Sequence, residues 1–206
     1  QKSAVVTTEM EAVIGTGEKA VHQPYSVIYT IYANGIIEVT TEFKTPDNFN
    51  LPRLGLQASL NPSLENITWY GHGPIECYWD RKDAAYVGLY QSTVSGMEES
   101  YVRAQSMGNR EDVRWLTLTS KDGQGGIKII SEDHLNFSAL HYSDPDLWQV
   151  LYGHDKENIR RAEVLLTLDC IQNGIGNGSC GPRTRPEYMI EKNKTYHYSF
   201  RMEPVK

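Results

Sequence analysis

An all-β sandwich of antiparallel strands is the fold class this sequence predicts, on three observations. Apolar and polar residues alternate with a period of two, as in Ile37, Val39, Thr41 and Phe43 against Glu38, Thr40, Glu42 and Lys44. Turn-forming Gly, Asn, Asp and Pro clusters separate such stretches at short, regular spacing. Only one short segment reads as helix, which argues against a parallel sheet built from alternating strands and helices.

The elements follow in order. Ser3 to Ile14 reads as an opening strand, ended by Gly15-Thr16-Gly17. Tyr25 to Ala33 is rich in β-branched and aromatic residues, and Asn34-Gly35 after it predicts a tight hairpin of type I′, which needs positive φ at both positions. Ile37 to Lys44 is the returning strand, and Pro46-Asp47-Asn48 is a turn. Leu51 to Leu60 and Ile67 to Tyr70 resume strand character, and Asp83 to Tyr90 reads as a further strand or an edge. Ser95 to Ser100 is polar loop. Val113 to Thr119 and Ile127 to Ile130 flank a turn at 121–126, and Phe137 to Tyr142 is a separate strand. Ser143-Asp144-Pro145-Asp146 has the cap and first-turn chemistry of a helix start. That helix is expected to end at Gly153 after about two turns, facing the core with Leu147, Val150 and Leu151. Val164 to Asp169 is a strand and Asn173 to Gly181 a glycine-rich loop. The closing strand alternates Tyr196, Tyr198, Phe200 and Met202 with His197, Ser199, Arg201 and Glu203.

Composition narrows the function classes. The chain has 206 residues, 39% of them hydrophobic, enough for one large β domain with its own core. A net charge of −6 with mixed signs argues against nucleic acid, and no apolar run approaches the ~20 residues of a membrane span. Cys77, Cys170 and Cys180 lack metal spacing and read as free thiols. Asn66, Asn136, Asn177 and Asn193 begin Asn-x-Ser/Thr sequons. Gln1 leads directly into a strand, as in a domain cut from a longer protein. No compartment is encoded; a bacterial cytoplasm and periplasm fit equally. No phosphate loop, HExxH or GxSxG is present, and neither a metal nor a cofactor is expected.

The most chemically dense stretch is Trp69-Tyr70-Gly71-His72-Gly73-Pro74-Ile75-Glu76-Cys77-Tyr78-Trp79-Asp80-Arg81. Its glycines and proline predict a sharp turn carrying aimed polar groups. The alternative is that its aromatics plug a sheet edge and Asp80 and Arg81 form a structural ion pair. Glu76 with Asp80 and Glu111 with Asp112 are the acidic pairs that glycoside hydrolysis could draw on, although solvated turns account for both. His72 and His141 are acid–base candidates for sugar chemistry, against a structural role for each, and His72 with Glu76 is the nearest approach to a metal pair. Thirteen tyrosines and four tryptophans offer flat faces for sugars.

In order along the chain, Leu51-Pro52-Arg53-Leu54-Gly55, the Trp69–Arg81 stretch, Tyr101-Val102-Arg103, Gly108-Asn109-Arg110, Asp112-Val113-Arg114-Trp115, Phe137-Ser138-Ala139-Leu140-His141-Tyr142, and Leu168-Asp169 through Ser179-Cys180-Gly181-Pro182 resemble the C-terminal small-chain domain (domain 5) of glycoside hydrolase family 2 β-galactosidases. The resemblance implies a galactose-mutarotase-like super-sandwich of two large antiparallel sheets with one or two short helices. It also implies that this chain is non-catalytic, because the family's two reactive glutamates lie on a TIM-barrel domain of the same polypeptide. The domain would pack on that barrel, complete the pocket for a β-galactoside, and belong to a parent for which homo-oligomers are compatible. His72, Glu76, Asp80, Arg81, Arg114 and Trp115 are implied to build the signature region, and Leu165, Asn173 and Gly174 to lie nearest the sugar. Three departures stand out: Leu165 replaces a sugar-stacking tryptophan, Ala104-Gln105-Ser106-Met107-Gly108 replaces P-Q-E-N-G, and the family's upstream R-x-P-x-D-N-D segment is not in the chain, so strands before Gln1 are expected to be missing. A stand-alone carbohydrate-binding module, presenting Trp79 or Trp148, and an aldose mutarotase or epimerase are the other readings.

Overall fold

The computed structural model describes residues 2–14, 20–176 and 181–205. The Gly15-Thr16-Gly17 turn, the Asn177 sequon and Cys180 lie outside the described residues. The described residues form ten strands: β1 Ser3–Ile14, β2 Val21–Tyr32, β3 Ile37–Lys44, β4 Arg53–Leu60, β5 Asn66–Gly73, β6 Tyr86–Thr93, β7 Arg110–Thr119, β8 Gly126–Leu140, β9 Val164–Gln172 and β10 Thr195–Val205. One α-helix, α1 Asp144–Trp148, and short 3-10 turns complete it. All strand pairs are antiparallel, in the order β1-β2-β3-β10-β8-β7-β5-β6, with β9 joining β8 to β4.

The two implied sheets are fused through β8. Along Ile127–Ile130 that strand lies between β10 and β7, and along Asn136–Leu140 it pairs with β9. The sheet folds back on itself there, so that β9 and β4 face β10 and β3: the Tyr198 hydroxyl donates to the Leu168 carbonyl at 2.9 Å. Between the halves lie Val39, Phe43, Trp69, Leu116, Phe137, Leu166, Leu168 and Phe200, all buried. The period-two pattern fixes this: in β3, Val39, Thr41 and Phe43 are buried while Thr40, Glu42 and Lys44 are exposed.

Several local expectations change. The Asn34-Gly35 hairpin is a three-residue loop: Gly35 N–H donates to Tyr32 O, Ile36 O accepts from Tyr32 N–H, and only Gly35 takes positive φ (87°). Strand β5 runs through Gly71 and ends at Gly73, and the expected turn comes at Pro74-Ile75. These glycines serve close approach: a Cβ on Gly71 would lie 2.6 Å from Val113 Cγ2, and one on Gly73 2.7 Å from the Tyr90 ring. The strands predicted over 127–130 and 137–142 are the one strand β8. Helix α1 has its capping box on Ser143 and Asp146 but stops at Trp148; Leu147 is buried, whereas Leu151 is exposed. Gly153 begins a 3-10 turn whose N–H is held by Val102 O at 2.8 Å.

Candidate functional site

The signature stretch leaves β5, bends after Pro74 and returns across the starts of β7 and β6. Glu76 is its hub. It is 6% exposed, and its carboxylate accepts from the Gly108 N–H at 2.9 Å, the Tyr78 hydroxyl at 3.2 Å, the Arg81 guanidinium and the Tyr101 hydroxyl. Four donors compensate the desolvation of a buried carboxylate. Arg81 also lies 5.1 Å over the Tyr78 ring. Burial, with Glu76 beside it, pushes the Tyr78 hydroxyl well above its ordinary range, so this phenol stays a donor.

Asp80 faces the other way. Its carboxylate accepts the backbone N–H groups of Ile175 (2.9 Å) and Gly176 (2.7 Å). Gly174 packs so tightly against it that a Cβ would sit 2.5 Å from the carboxyl carbon. Asn173 is tied on both sides, its N–H to Pro52 O at 2.8 Å and its Oδ1 to Ile190 N–H at 2.6 Å. The structure thus brings Asp80, Asn173 and Gly174 together. Leu165 is elsewhere: it is buried at the opposite end of β9, paired with Ser59 and Leu140, roughly 25 Å along the strand from Asn173.

A polar cleft opens beside this junction, between the signature loop, the starts of β7 and β8's second half, and the end of β9. Lys82 Nζ lies 3.2 Å from Asp112 Oδ2 and 3.4 Å from Glu111 Oε2. His72 Nδ1 is 3.0 Å from the same Asp112 oxygen, without the alignment of a hydrogen bond. Glu111 is only 3% exposed, and burial pushes its carboxyl up to about 7 although Lys82 pulls the other way. The β7–β8 register shifts around Val113, and Asp112 (φ 52°) and His134 (φ 58°) take the left-handed conformation on the two sides of the bulge. Arg114 sits over the Tyr70 ring at 5.6 Å, and Trp115 lies between Tyr70 and Ile130 under Lys128, 5.2 Å away. These two extend the signature region onto the outer face of β7.

His141 is not available for acid–base work. It is 5% exposed, with Nε2 at 3.1 Å from Glu65 and Nδ1 at 3.1 Å from the Glu163 carbonyl. Asp169 is likewise internal: Arg53 binds it at 2.5 Å and reaches Asp144 at 2.8 Å. Its complete burial pushes the carboxyl up to about 6, against the pull of Arg53. Cys77 is buried, its thiol pushed up to about 11 by desolvation, and is unreactive in kind. Sequence reasoning missed Lys82 in the cleft, for which a lysine directly after the Asp80-Arg81 pair was the available signal, and had Gln172 only as part of the closing-loop motif.

Compared with known proteins, residues 1–202 match the family model described as beta galactosidase small chain. A β-galactosidase of Priestia megaterium is 31% identical over 99% of this chain and 20% of its own length. Those of Staphylococcus xylosus (28% identical) and Lactobacillus delbrueckii subsp. bulgaricus (31%) each match over 87% of the chain and 18% of their own length. The chain therefore spans about a fifth of the length of these relatives. Among solved structures, a galactose mutarotase related enzyme from Lactobacillus acidophilus aligns with 98% of this chain and 68% of that one, at 8% identity and a TM-score of 0.46.

Proposed function

This chain belongs to the beta-galactosidase small-chain family, and on that footing we propose that it is the C-terminal, non-catalytic β module of a retaining β-galactosidase. The module packs against a TIM-barrel domain of the same polypeptide that carries the two reactive glutamates, and it finishes one wall of the galactoside pocket. The observation that carries this reading is how the signature's carboxylates are engaged. Glu76 accepts from four donors and Asp80 from two backbone N–H groups, both within the chain. A retaining hydrolase needs one carboxyl free to donate a proton and a second free to attack, about 5–5.5 Å apart. The role of these residues is to shape a loop, and the loop is what meets the sugar pocket.

Two surfaces suit attachment to the rest of a longer polypeptide. Among the described residues strand β4 pairs only with β9, leaving its other edge open. The face of the β1–β2 hairpin continuous with the core keeps Val6 (46%), Met10 (44%) and Ile31 (40%) exposed. A strand from outside residues 1–206 would cover both.

The test is turnover of an aryl β-galactoside by the full-length polypeptide and by this chain alone. Turnover is expected only with the full-length polypeptide. Activity in the isolated chain would falsify the non-catalytic assignment.

A further inference from the structure

The cleft beside the Asp80–Gly174 junction carries acceptors that the described residues leave partly or wholly unfilled. Glu111 is 3% exposed, yet its carboxylate, which can accept about four hydrogen bonds, meets among the described residues only Lys82, at 3.4 Å. The Oε1 of Gln172 is buried there with no partner among the described residues. Unpaired acceptors in a folded interior are costly unless something else binds them. Two left-handed non-glycine residues, Asp112 and His134, line the same cleft from facing strands. Such strain gathers at binding sites. Trp79 forms a wall, its ring held edge-on by Tyr188 at 6.0 Å.

The chemistry selects the occupant. Lys82 stands 3.2–3.4 Å from both carboxylates and offsets part of their charge, and among the described residues no three acidic, His or Cys side chains converge to hold a metal ion, while Glu111, Asp112 and Asp133 repel an anion. A neutral ligand that both donates and accepts, and that has one apolar face for an indole, meets every wall. The cleft holds ≈ 180 Å³, below the ~300–1,000 Å³ of sites for drug-sized ligands. It has room for one ring, with any further sugar unit projecting outward. We propose that this cleft is a subsite for a single pyranose unit, with Glu111 and Gln172 accepting its hydroxyl protons, Lys82 donating, and Trp79 lying against the ring. The inference rests on the reading of this chain as a galactosidase module and assigns to it a sugar contact of its own.

The experiment has two arms. In the first, methyl β-galactoside is titrated into the 206-residue chain and the indole N–H signals are followed by NMR. Saturable movement of the Trp79 signal, with Trp148 unmoved, is expected, and it should be lost in Glu111→Leu. In the second, Trp79→Ala and Glu111→Leu are placed in the full-length polypeptide and KM and kcat are measured with lactose. KM should rise about fivefold in each, the equivalent of one lost hydrogen bond, with kcat changed less than twofold. If Glu111→Leu does not fold, Gln172→Leu replaces it, with the same expectation in both arms. No movement of Trp79, or movement equal in the variant, overturns the subsite. Unchanged KM in an active full-length enzyme overturns it while leaving the module reading intact. A full-length polypeptide with no galactosidase turnover removes that reading, and the subsite with it.

Discussion

At the scale of single residues, buried charge decides most of what can be measured. Glu111 titrates near 7 because burial disfavours its ionised form. Its folded-state pKa lies above the ordinary 4.5, so the folded chain binds this proton more tightly than the unfolded one. That stabilisation is complete below about pH 4.5 and is lost as pH rises through 7; Asp169, near 6, acts in the same direction. Glu111→Gln is therefore expected to melt several degrees above the parent at pH 8 and level with it at pH 4, by calorimetry across pH. Glu76→Ala has the opposite outcome. It strands Arg81, two tyrosine hydroxyls and the Gly108 N–H, and should cost about 3–5 kcal/mol in urea unfolding. The roles of these side chains were only half legible. That Glu76 and Asp80 serve structure was among the readings of the Trp69–Arg81 stretch. That Asp80 reaches Gly176, 96 residues away, belongs to tertiary packing and leaves no trace in local spacing.

At the scale of elements, local pattern succeeded where one face is buried and failed where a strand changes surroundings. β3 has the bounds its alternation implies. β8 reads as two strands because Ser131-Glu132-Asp133-His134 interrupts the apolar period. The strand nevertheless continues, since this is where it passes from one half of the sheet to the other, and Ser131 is bonded to Ser199 O at 3.0 Å. Helix α1 is shorter than its pattern because Gly153 is pinned against the 101–102 loop, where a Cβ would meet Tyr101 O at 2.0 Å. Its start was readable, as caps are local. Ser143→Ala should cost about 1 kcal/mol, measured by denaturant unfolding. Among the described residues strand β1 pairs only with β2, and it exposes Val5, Val6, Met10 and Val13. Its amides should exchange with deuterium well before those of β8, which is paired on both sides; equal protection would show that the hairpin is held by more than β2.

At the scale of the whole molecule, the all-β class was legible from periodicity and turns, and the order of motifs was enough to expect the family. The fusion of two sheets through one strand was not, because it depends on which distant segments pair. β8 touches β10, β7 and β9 in turn, so the two faces of the core are continuous through a single run of backbone. Cleavage sites on the chain are accordingly unequal. A protease nick in the exposed 121–124 turn breaks no ladder, and the two pieces should stay associated through size-exclusion chromatography. A cut between Ser131 and His134 falls inside β8 itself, where the strand passes from one half of the sandwich to the other; the β3–β10 and β4–β9 ladders still join the pieces, but the nicked chain should melt below the one cut at 121–124.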